Sequence, residues 1–174
     1  MYRLATSTAC CLAFLFAGVM QTEPGFSIRA ASAQPVDGWQ QMKVEHSERT
    51  IWVAPTAAIV GSDIEKAQPE IRNDGNRVIR VVFTDEGANK IRDLTTVQFK
   101  SLIAMVVDGA VIWAPYVQTV VGKESLLTGN LPNGLSEEEV VRIMSSLRQP
   151  NYVVATSNSS ELLGGRRPSV LPAK

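Results

Sequence analysis

The chain has 174 residues, 17 basic and 17 acidic, with hydrophobic residues at 45% and charged residues at 20%, the balance of one globular domain with extensions. Zero net charge excludes the broad basic surface that neutralising nucleic-acid phosphates requires, so no nucleic acid is expected among its partners. One histidine and two cysteines, Cys10 and Cys11, are too few for a zinc-type centre or a Ser-His-Asp or Cys-His arrangement, so neither metal nor cofactor is expected.

The N-terminus reads as targeting sequence. Arg3 supplies a positive start, Leu4 to Met20 is an uncharged apolar run of 17 residues, and Ala31-Ser32-Ala33 offers a small-x-small cleavage site before Gln34. The stretch from Gln21 to Arg29 between run and site is long for such a segment. Residues 1–33 are therefore read as a signal peptide cut after Ala33, with a retained membrane anchor as the alternative, since 17 residues lie near the lower limit for a span. Both cysteines would leave with the signal. Either way the domain is expected outside the cytoplasmic membrane, periplasmic or extracellular, touching a membrane only through an uncleaved N-terminus.

Residues 34–49 are polar and read as a lead-in, and the domain is expected over 50–149. Ile51 to Ala54 suggests a short strand ended by Pro55. Ser62-Asp63-Ile64-Glu65 has the Ser-x-x-Glu form of a capping box, with Ile64, Ala67 and Ile71 at helical spacing, and so predicts a short helix limited by Pro69. After the turn cluster Asn73 to Asn76, Arg77 to Thr84 reads as a strand. Thr84, followed by Asp85 and Glu86, suits a helix start, with Ala88, Ile91 and Leu94 on one apolar face and Thr95 and Thr96 weakening its end.

Leu102 to Val107 and Ala110 to Trp113 are too uniformly apolar for strands with a wet face, so both sides are expected to be covered. Asp108-Gly109 between them predicts a type I′ hairpin turn, and Pro115 should weaken pairing beyond it. A strand over Ser125 to Thr128 precedes the loop Gly129 to Gly134. Ser136 to Glu139 is a second capping box, opening a helix with Val140, Ile143, Met144 and Leu147 inward and Arg142 and Arg148 toward its C-terminal end. Residues 150–174, rich in Ser, Gly and Pro, read as a mobile tail. The expected fold class is α+β: one mixed or antiparallel sheet packed by about three helices, in the order β-α-β-α-β-β-β-α.

Chemistry is sparse. The acidic groups Asp63 with Glu65, Asp85 with Glu86 and Glu137 to Glu139 all open predicted helices, where capping and the helix dipole account for them. Gly122-Lys123-Glu124-Ser125 fails as a phosphate loop, because Val117 and Glu124 stand where Gly and Ser or Thr are needed. Trp113 and Tyr116, near a strand end, are candidates to line an apolar contact surface or, for Trp113, to pack in the core.

The ordered string Thr84, Glu86, Gly87, Ala88, Leu94, Thr95, then Asp108, Gly109, Ala114, Pro115, then Thr128 and Gly129, closed by the Ser136–Leu147 helix, resembles the head subdomain of the first periplasmic domain of SecD and SecDF, membrane subunits that assist protein export. The resemblance spans about 100 residues. It implies a non-enzymatic head with the apolar hairpin at its sheet centre, separated from the membrane spans and base subdomain of a translocation motor. The function expected from it is an exported module that binds unfolded polypeptide or an envelope protein partner. Asp108, Gly109, Trp113, Tyr116, Gly129 and Asn130 are the candidate contact residues. A sensor or regulatory domain that binds a small ligand or a dedicated partner protein is the alternative, and a hydrolase is the weakest reading.

Overall fold

The computed structural model describes residues 25–129 and 134–147. Nine strands and two α-helices follow in order: β1 (Phe26–Ser32), β2 (Gln40–Lys43), β3 (Thr50–Val53), β4 (Ile59–Val60), a 3-10 turn (Gly61–Asp63), β5 (Ile64–Ile71), β6 (Arg77–Phe83), α1 (Asp85–Val97), β7 (Leu102–Val107), β8 (Ala110–Trp113), β9 (Glu124–Leu127) and α2 (Glu137–Ser146). The class is α+β, but with two sheets rather than one and, among the described residues, two α-helices rather than three. Asn130, Arg148 and the expected tail over 150–174 lie outside the described residues.

The larger sheet runs β2-β3-β1-β7-β8, with β4 sharing an edge of β1 with β3. It curls until Val44, just past β2, meets Val111 of β8 in a parallel bridge, where the Glu45 N–H donates to the Val111 carbonyl at 2.8 Å. The curl encloses a small apolar interior built from Ala31, Val44, Ile51, Val53, Leu102, Ala104, Val106, Val111 and Ala114. Three alanines among these suit the narrow space inside a five-stranded curl.

The smaller sheet, β5-β6-β9, is antiparallel throughout. Its inner face joins both helices and the outer face of the larger sheet in a second core that includes Phe26, Ile28, Ile79, Val81, Phe83, Ile91, Met105, Val107, Ile112 and Ile143. β7 belongs to both cores: Leu102, Ala104 and Val106 point into the curl, Met105 and Val107 into the second core. The double coverage expected of the apolar hairpin is present. Its turn also has the expected form, with Asp108 at φ 49° and Gly109 at φ 80° and Val107 paired to Ala110 across two residues, as a type I′ turn requires.

Three expectations are corrected. The helix predicted from Ser62 is a 3-10 turn followed by strand β5. A register shift between Ile64 and Lys66 inserts one extra residue, so Ile64 and Ala67, three apart, both contact the second core and imitate a helical spacing. Pro69 is accommodated because β5 is an edge strand. The polar lead-in over 34–49 contains β2, and the domain does not begin at residue 50. The stretch read as the end of a signal peptide contains β1, which pairs with β7 from Phe26 to Ala31 and lies between β7 and β3.

The helix starts are as the sequence dictates. The Thr84 hydroxyl accepts from the Gly87 N–H at 3.0 Å; Ser136 and Glu139 form the reciprocal box, with the Ser136 hydroxyl accepting at 3.1 Å and the Glu139 carboxylate accepting the Ser136 N–H at 2.7 Å. The first turn of α1 presses on the 3-10 turn. Thr84 N–H donates to the Asp63 carbonyl at 2.9 Å, the buried Asp63 carboxylate accepts from Val60 N–H at 2.9 Å and from Lys90 at 2.8 Å, and a Cβ at Gly87 would collide with the Asp63 carbonyl oxygen. Glycine is needed there for space, although its backbone is helical. Gly87→Ala is therefore expected to destabilise the domain by about 1–3 kcal/mol through overpacking, a lowered denaturant midpoint with unchanged slope; an unaltered midpoint would show that the 3-10 turn yields freely.

Candidate functional site

α1, the outer face of β7 and β8, and β9 enclose an apolar cavity of about 250 Å³. Ile91 and Thr95 come from α1, Ile103 and Met105 from β7, Trp113 from β8 and Leu127 from β9, while the segment from Pro115 to Thr119 runs along the opening. Trp113 reaches this space through a local irregularity. Val106 pairs with Val111, yet Met105 pairs with Trp113, so one residue of β8 is skipped between adjacent positions of β7. Strict alternation would place Trp113 on the Val111 face, inside the curl. The bulge turns it to the Met105 face, and strand phase resumes with Ala114 inside.

Thr95 is fully buried and fixes the lip of the cavity. Its hydroxyl donates to the Ile91 carbonyl at 2.7 Å and accepts the Val121 N–H at 3.0 Å. A threonine in the apolar stripe of α1, four residues after Ile91, thus joins the helix to the segment after β8; in the sequence it read as a helix-weakening residue and as part of the family string. The same segment is tied to the start of α1 by Lys123, which donates to Asp85 at 2.6 Å. That hydrogen bond, reinforced by the ammonium charge, holds the Asp85 carboxyl below its ordinary value. The contribution of a carboxylate with a depressed value is in place at neutral pH and is lost only as pH falls through that value.

Pro115 interrupts regular pairing as expected: β8 ends at Trp113, and the chain continues through a Pro115 carbonyl that accepts the Ile103 N–H at 3.1 Å and an isolated Leu102–Tyr116 bridge. Tyr116 is half exposed and lines the cavity. Three more large apolar side chains are exposed nearby in the chain: Val97 and Phe99 just past Thr95, and Val120 beside Val121, with Val97 79% exposed.

The six candidate contact residues do not form one site. Trp113 and Tyr116 share the cavity. Asp108 and Gly109 sit at the other end of the hairpin, where the Asp108 N–H donates to the Gly25 carbonyl at 2.8 Å and Gly25 lies against Ser146 at the end of α2. Gly129 packs against Gly134 and Leu135 near the start of α2, roughly 15 Å from that tip given the rise of a ten-residue helix. Ile103 and Met105, which the sequence did not single out, line the cavity together with Thr95, and the hairpin turn does not. The carboxylates of Asp63, at the end of the 3-10 turn, and of Asp85, at the start of α1, serve lysine pairs. Among the described residues no group of three or more His, Cys, Asp or Glu could hold a metal ion, and no helix is long and apolar enough to cross a membrane.

Comparison with known proteins converges on one family. The family model for the SecDF P1 head subdomain matches residues 39–147. Among solved structures, SecDF in a super-membrane-facing form superposes with a TM-score of 0.52 at 19% identity, over 70% of this chain and 18% of that one. A second, SecDF described as a membrane component that enhances protein export, superposes with a TM-score of 0.52 at 22% identity, over 71% of this chain and 61% of that one. At these identities the likeness speaks for the fold, and this chain spans less than two thirds of either SecDF chain. No curated protein sequence matches. The match over well more than half of the sequence makes the chain a member of the SecDF P1 head subdomain family.

Proposed function

We propose that this head is a non-enzymatic, polypeptide-contacting module outside the cytoplasmic membrane, and that it receives large apolar side chains of unfolded protein in the cavity beneath Trp113 and Tyr116. The observation that carries the reading is the cavity itself, walled by Ile103, Met105 and Trp113 and bordered by the half-exposed Tyr116. At about 250 Å³ it is smaller than the range of roughly 300–1,000 Å³ usual for whole small-molecule ligands, and it suits one bulky side chain of a longer chain. The hydroxyl of Thr95 is already engaged, so the wall offers packing more than hydrogen-bond selection. Such a surface accepts many sequences, as contact with unfolded polypeptide demands. The SecDF chain described as enhancing protein export makes an export-related role for this head the natural context.

Titrating labelled full-length protein with an unfolded, Phe- and Leu-containing peptide tests this. Saturable NMR shifts are expected at the Trp113 indole N–H, Tyr116, Ile103 and Leu127; shifts confined to Asp108–Gly109 or Gly129, or none at all, would overturn the assignment. A small apolar compound that saturates the same signals while the peptide fails would favour the small-ligand alternative. Tyr116→Ala is the discriminating variant, because Tyr116 is half exposed while Trp113 packs on the core. It is expected to weaken peptide binding about fivefold or more, roughly 1 kcal/mol, with little change in melting temperature.

Thr95→Val separates lip from wall. It removes the acceptor for the Val121 N–H and is expected to cost about 1 kcal/mol of stability. Hydrogen exchange at Val121 should accelerate while the Trp113 wall keeps its chemical shifts; unchanged exchange at Val121 would show that the hydroxyl does not hold the lip.

A further inference from the structure

We infer that the folded protein retains Phe26–Ser32 and that its mature N-terminus is not made at the bond after Ala33. β1 is an interior strand, paired to β7 on one edge and to β3 and β4 on the other. Both of its faces are used. Phe26 and Ile28 enter the second core, and Ala31 enters the curl. Loop groups close on it as well: the Ala54 N–H donates to the Ala30 carbonyl and the Ala58 N–H to the Ile28 carbonyl, each at 3.0 Å, and the Asp108 N–H bonds Gly25. Cutting after Ala33 would leave facing edges of β7 and β3 unpaired about 10 Å apart, two strand spacings, and would open both cores. A domain of marginal stability does not survive that loss.

The same placement gives the small-x-small pattern another origin. Ala31 is small because it points into a narrow, filled interior beside Ala104 and Leu102. The unusual length of the stretch between the apolar run and Ala33 is also explained, since most of it is strand. Any processing then falls between Met20 and Gly25, or the apolar run stays attached.

The test is intact-mass analysis of the full chain, carrying a C-terminal affinity tag and exported in a bacterial host, after isolating the fraction that melts cooperatively. The expected mass corresponds to an N-terminus at Gly25 or earlier. A cooperatively melting species that begins at Gln34 as the main product would overturn the inference. Ala33→Leu, at an exposed position, gives a second reading: blocking a small-residue cleavage site there should leave the start of the mature chain where it was, and a shift to a longer product would show that the bond after Ala33 is the native cut.

Discussion

Everything in this fold depends on β7 being covered on both faces. A six-residue strand that is apolar at every position cannot stand at the surface of a sheet, and it cannot be half wet. The fold answers by curling the larger sheet over one face and laying α1, α2 and the smaller sheet against the other. Once β7 is shared, its neighbours are constrained. β1 must lie along its full length, because an unpaired ladder between two dry cores would strand backbone donors and acceptors where water cannot reach. β8 must turn back at once, which the left-handed pair Asp108-Gly109 allows.

The layers are held in register by packing first and charge second. Arg142 of α2 makes a paired contact with Glu45, at 2.9 and 3.1 Å, and donates to the Val107 carbonyl at 3.3 Å, so one guanidinium touches the closure of the curl and the end of β7. The sequence reading placed Arg142 only near a helix terminus. Its Nη1 spans both Glu45 oxygens while Nη2 reaches a backbone carbonyl, and the pair is partly buried, which gives it more weight than the exposed Lys43–Glu48 pair, whose side chains are largely in water.

How much of this could be read beforehand follows from where local signals act alone. From Arg77 onward the elements were legible, because Thr84 and Ser136 cap their helices through their own side chains and a two-residue turn fixes its own hairpin. Upstream, tertiary partners decide. β2 is a polar edge strand, Gln-Gln-Met-Lys, with only Met42 turned toward the curl. β5 hides its period behind a bulge, and β1 follows an apolar run whose resemblance to a leader masks a strand. At the site, Trp113 and Tyr116, two aromatic residues near a strand end, line one apolar space. The hairpin turn and Gly129 went to other places because sequence adjacency says nothing about which end of a strand faces a cavity. Thr95 was missed because a threonine at a helix end has a local explanation, and its bond to Val121 spans 26 residues.

The bulge in β8 connects this architecture to what the head can do. A regular strand would send Trp113 into the curl, where three alanines mark how little room exists, and would leave the outer wall without its largest side chain. Skipping one residue moves the indole to the other face while Ala114 resumes the inner position. The wall of the cavity is thereby built on a strand pair that both cores immobilise, and its lip is tied down by the Thr95 hydroxyl, the Lys123–Asp85 pair and the backbone bonds of Pro115 and Val117 to Ile103, Ser101 and Lys100. In the role proposed above, a firm apolar floor whose one hydroxyl is already engaged would take side chains through contact area rather than through fitted polar groups, and so would tolerate varied ones. Tolerance of that kind is what the proposed contact with an unfolded chain of varied sequence would require.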